Sequence, residues 1–170
     1  MILSSSNAST LTSPFSEGEI YVTAFFSTAL DSFHYALSIM MDPFQCKMLH
    51  ARELWPDHFV FEDKENSLTS SATLCIALKI GDMRYDTLEQ VTALLQAIPM
   101  ALPNGATDQR FDCRVWLKEA IKVLNNQGVL RCADADMLID WELTGYATYN
   151  KENIMGGFGP FRRHVSMLSA

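Results

Sequence analysis

The sequence predicts an α+β domain, in which a mostly antiparallel sheet of about five strands is followed by three helices packed on one face. Three observations carry that expectation. Segments between Gly18 and Ile80 are dense in β-branched and aromatic residues, as buried strands are. The apolar period then changes to three and four residues from Leu88 onward, the mark of amphipathic helices. Strands come first and helices after, the order of a sheet covered on one side.

The elements follow in order. Residues 1–17 are rich in Ser, Thr and Asn and read as a flexible leader. Strands are expected at Glu19–Phe26, His34–Met40, Lys47–Ala51, His58–Glu62 and Ala72–Ile80, the second and third joined by a turn at Asp42-Pro43. Leu88, Val91, Leu94, Leu95 and Ile98 mark a first helix, broken by Pro99 and Pro103. A second helix begins near Asp112, with Leu117, Ala120, Ile121 and Leu124 on one face and Gly128 placed to end it. A third is expected from about Ala133 to Gly145. The domain therefore spans 18–147, and 148–170 reads as an irregular C-terminal tail.

At 170 residues, 48% of them hydrophobic, the chain can bury a core as one domain. A formal charge of −7 argues against nucleic acid as a partner, since phosphate recognition needs clustered Lys and Arg. No stretch is apolar for long enough to span a bilayer, and the N-terminus lacks a signal-peptide pattern. Cys46, Cys75, Cys113 and Cys132 are widely spaced, with no metal-ligand spacing to a His, so neither a metal nor a cofactor is expected. Four unpaired thiols suit a reducing, cytoplasmic location.

Cys113 carries the chemistry that the residues suggest. A thiol in the first turn of a helix sits at the positive end of the macrodipole, which lowers its pKa. Free backbone N–H groups there suit an oxyanion. A nucleophile needs a base and an orienting group, and His34 and His50, on neighbouring strands, supply both. Cys113 also extends the apolar stripe of the second helix, so the spacing alone equally describes a core cysteine.

Phe33-His34-Tyr35-Ala36-Leu37-Ser38-Ile39, a hairpin, Met48-Leu49-His50-Ala51 and finally Phe111-Asp112-Cys113-Arg114-Val115-Trp116-Leu117 resemble the His, His, Cys order of circularly permuted papain-like domains. These are the lecithin–retinol acyltransferase type and the permuted NlpC type. The likeness covers 19–130 and is closest to small fungal proteins of unassigned activity. It implies a permuted papain-like fold, Cys113 as nucleophile, His34 as general base and His50 as orienting group. It further implies a thiol hydrolase or acyltransferase acting on an amide, ester or acyl substrate. Asp112 stands where the relatives carry Asn, and a carboxylate beside a thiol raises its pKa. As a helix N-cap, Asp112 has a simpler role.

Asp112 also motivates a different enzyme class. An accessory cyclase or isomerase of fungal natural-product biosynthesis would use acid–base residues in an apolar pocket. A non-enzymatic binding module, with Cys113 in the core, is the third reading. The acidic run Asp134, Asp136, Asp140 and Glu142 reads as a solvated helix face.

Overall fold

The computed structural model describes residues 13–84, 86–105 and 109–170. Its sheet contains β1 (Glu19–Ser27), β2 (Ser32–Met40), β3 (Cys46–Trp55), β4 (His58–Asn66), β5 (Leu74–Asp82) and β6 (Arg162–Val165). In space they run β4-β3-β2-β1-β5-β6. Every neighbouring pair is antiparallel except β5 and β6. The helices are α1 (Leu88–Gln96), α2 (Cys113–Asn126) and α3. The last is a continuous run of α-turn (Ala135–Met137), π-turn (Leu138–Leu143) and α-helix (Thr144–Met155). The chain is thus an α+β domain, as the sequence predicts.

Alternation along the strands gives the sheet two faces. Ile20, Val22, Ala24 and Phe26 of β1, with Leu37, Ile39 and Leu49, pack against Trp116, Leu117, Ile121, Leu138 and Leu143 of the helices. The opposite parity, Tyr21, Met40 and Cys46, joins a smaller cluster with Phe15 and Leu68 that none of the described helices covers. β4 obeys the same rule: Phe61 meets Trp116 on the helix face, with ring centroids 5.9 Å apart.

The chain ends depart from expectation. Residues 1–12 of the expected leader lie outside the described residues. Phe15 is not loose: it is 3% exposed, edge-on to Tyr21 and stacked on Phe161 at 5.7 Å. Residues 148–170 are not an irregular tail either. α3 continues to Met155, and β6 pairs in parallel with β5 from Ile76↔Arg162 to Lys79↔Val165. Arg163 fastens this strand by donating to the Tyr21 hydroxyl at 2.7 Å and pairing with the buried Glu19 at 3.2 Å. Such a strand carries no apolar alternation, because its hold on the sheet is backbone pairing and ion pairs. Among the described residues no helix is long and apolar enough to cross a membrane.

Candidate active site

The site lies where the sheet divides. β1 and β2 stay paired to Ser27↔Ser32, and β3 and β4 to Trp55↔His58. Between these two hairpins, β2 and β3 pair only from Met40↔Cys46 to Leu37↔Leu49. Beyond Leu37 the strands part. The gap opens into a cavity of about 610 Å³ lined by Phe33 and His34 of β2, Arg52 of β3, Phe59 of β4, and Asp112 and Cys113.

α2 plugs the gap with its N-terminus. Asp112 is its N-cap, with an extended backbone and a carboxylate that accepts from the N–H groups of Arg114 and Val115, both at 2.9 Å. That makes Cys113 the first helical residue. Its thiol lies near the β2 backbone at Tyr35. Arg110, just before the helix, pairs with Glu53 and Asp57 and so ties this segment to the β3–β4 hairpin.

A hydrogen-bonded line of side chains approaches the gap from the other face of the sheet. Register sets His34 beside Phe25, on the face without helices. His34 Nε2 lies 2.8 Å from His50 Nδ1, and His50 Nε2 lies 2.8 Å from Glu62 Oε2. Arg52 donates to the other Glu62 oxygen at 2.7 Å. The structure therefore joins His34 to His50 and brings His34 and Cys113 to one cavity. Among the described residues no hydrogen bond links Cys113 directly to either histidine.

This line fixes the proton positions. Glu62 is a carboxylate held low: burial opposes that, but the Arg52 and His50 hydrogen bonds outweigh it. Burial and then the neighbouring His50 push His34 down to about 4, and burial lowers His50 too. Both imidazoles are neutral at pH 7. His50 then donates from Nε2 to Glu62 and accepts at Nδ1 from His34 Nε2–H. His34 is left with Nδ1 as an unprotonated base.

The thiol differs from the sequence expectation. Burial, reinforced by the charge of Asp112, pushes Cys113 up to about 11, whereas the helix N-terminus led to an expected lowering. Backbone N–H groups at the start of the helix pull the thiol down, but desolvation of a buried thiolate is larger. The N-cap also uses two of the N–H groups expected to be available to an oxyanion. Arg52 and Arg110, which both line the cavity, are the remaining cationic donors there.

Glu62 is the member of this line that the sequence did not single out. A regular two-residue hairpin at Pro56-Asp57 places Asp63 opposite His50. A register shift between Glu53 and Trp55 puts Glu62 there instead. Counting back from the hairpin would have found an acid opposite His50, though the wrong one. His58, by contrast, is exposed and stacks on Trp55 at 4.0 Å. Among the described residues no three His, Cys, Asp or Glu side chains are grouped to hold a metal ion.

A family model described as a family of unknown function (DUF6540) matches residues 20–131. No curated protein and no solved structure matches the chain.

Proposed function

The chain belongs to the family of unknown function DUF6540, and from its site we propose that it is a thiol enzyme of the circularly permuted papain type. It hydrolyses or transfers an acyl group, drawn from an amide, ester or other acyl substrate, through Cys113. The observation that carries this reading is the line Glu62–His50–His34, whose last member lines the same cavity as Cys113. Nucleophile, base and orienting groups are the three parts such chemistry needs.

In the proposed step Sγ attacks the acyl carbonyl carbon and forms the C–S bond, while its proton passes to His34 Nδ1. The tetrahedral intermediate collapses, the C–N or C–O bond breaks, and His34 returns the proton to the leaving group. Water, an amine or an alcohol then attacks the thioester and gives its proton to His34; the C–S bond breaks and the proton returns to the Cys113 sulfur. The resting pair is neutral on both sides. Moving the proton from a thiol at about 11 to an imidazole at about 4 costs on the order of 10 kcal/mol, so the transfer accompanies bond formation. Leu30, Phe33 and Phe59 give the cavity apolar walls suited to an acyl chain. With all four cysteines unpaired, a reducing cytoplasmic setting fits this chemistry.

A specific observation favours a second reading, the accessory cyclase or isomerase. The thiol is raised rather than lowered and has no direct hydrogen bond to His34, whereas the histidine line is complete without it. In that case His34 does acid–base work on a bound small molecule.

Activated nitrophenyl esters of increasing chain length separate the two. Intact-mass analysis should find one acyl adduct, mapped to Cys113 and absent from Cys113→Ala. In His34→Ala its formation should slow by roughly 100-fold, the scale of general-base assistance. Adducts spread over the four cysteines, or a rate indifferent to His34, would overturn the thiol reading.

A further inference from the structure

We propose that the cavity between α3 and the C-terminal segment binds a methylated ammonium group. It shares no lining residue with the Cys113 cleft, so it stands independently of the function proposed above. Its volume is about 460 Å³, and it is lined by Trp141, Glu142, Gly145, Tyr146, Tyr149 and Met167.

The helical spacing brings these residues together. Trp141, Gly145 and Tyr149 follow one another at four-residue steps, so two aromatic rings flank a position with no side chain. A Cβ at Gly145 would meet nothing within 4 Å, so packing does not demand glycine there; it leaves the floor open. Trp141 and Tyr149 remain 58% and 79% exposed, a large aromatic surface left uncovered by the fold. Tyr146 is held by His164, stacked on one ring face at 4.2 Å. The π-turn Leu138–Leu143 carries both Trp141 and Glu142, and such turns recur at functional sites.

Glu142 gives the cavity its sign. The acidic run is not a uniformly solvated face as its sequence suggested: Asp140 pairs with Arg114 and Lys118, but Glu142 is 3% exposed. Its carboxylate accepts from Ser166 Oγ at 2.8 Å and from the Met167 N–H at 2.9 Å. It is thus fixed in place at a wall of the cavity. Aromatic faces, a held carboxylate and a polarizable thioether are the partners that suit a cation with an apolar shell. A methylated nitrogen has few or no N–H donors to satisfy, so a mostly aromatic wall with Glu142 as its one carboxylate suits it. The cation–π pairs among the described residues use Phe26 and Tyr21, so no internal cation occupies these rings. The net charge of −7 favours the approach of a cation.

The full chain should be titrated with choline and with 3,3-dimethylbutan-1-ol, its uncharged carbon isostere, following the Gly145 amide by NMR. Choline should shift that amide saturably, and the isostere should bind at least about tenfold more weakly. Trp141→Ala, an exposed position, should weaken choline binding by at least about tenfold, whereas Trp55→Ala, equally exposed, should leave it unchanged. Glu142→Gln keeps a hydrogen-bond acceptor but removes the charge and should also weaken binding. Equal binding of choline and the isostere, no shift up to about 100 mM, or indifference to Trp141→Ala would each overturn the proposal.

Discussion

The seam between β2 and β3 has two ends with opposite characters. At the closed end, Leu37, Ser38, Met40, Cys46 and Leu49 are nearly or fully buried, and the ladder is regular. At the open end, Phe33 and His34 face Arg52 and Glu53, all at least partly exposed, and the strands part. From Leu37 to Met40, where Leu37, Ile39, Met40 and Leu49 are buried, the seam stays shut. Where alternation brings His, Arg and Glu, the seam gives way to a cavity, and the backbone that no neighbouring strand pairs meets a helix N-terminus instead. One seam therefore holds both a closed, buried ladder and the opening of the cavity.

The largest expected effect tests the closed end. Leu49→Ala removes a fully buried side chain from the central cluster and should cost about 2–5 kcal/mol in urea unfolding at pH 7. A cost below about 1 kcal/mol would mean that the closed end is not what holds the two hairpins together.

Acid tests the open end. His34 takes up its proton at about 4 in the fold but near 6.5 when unfolded, so the unfolded state binds more protons in that window. Stability is complete above pH 6.5 and falls as pH drops towards 4, by at most about 3 kcal/mol given some solvent access. His50 shifts in the same direction. Glu62, held below its ordinary 4.5, loses its contribution only at lower pH. Urea midpoints at pH 7 and pH 4.5 should differ more in the wild type than in His34→Gln. An identical drop in both would assign the acid sensitivity elsewhere.

The two ends also differ in how far the sequence discloses them. The closed end was legible, since alternating apolar residues define β1, β2 and β3 directly. The helix stripes were legible for the same reason, and Asp112 marked the start of α2. β6 was not, because Arg162–Val165 is held by backbone pairing, an ion pair to Glu19 and a hydrogen bond to Tyr21, which have no periodicity. At the site, the residue types at 34, 50 and 113 were visible, but their relation was not. Glu62 depends on a one-residue register shift. The raised thiol depends on how deeply α2 enters the gap, a tertiary property that local helix-dipole reasoning does not contain.

The smallest expected effect separates those two influences on Cys113. Asp112 does two things at once: it caps α2 through the N–H groups of Arg114 and Val115, and its charge raises the thiol. Asp112→Ala loses both. Stability should fall by about 1 kcal/mol, the ordinary worth of an N-cap, while iodoacetamide alkylation of Cys113 at fixed pH should quicken. Asp112→Asn keeps a capping oxygen and discards the charge, so stability should hold while reactivity rises. Burial is the larger cause of the raised thiol, so neither variant should bring Cys113 down to the range of a free cysteine. If either variant did so, the carboxylate rather than desolvation would govern the open end. The contrast with the closed end would then be one of charge placement, not of burial.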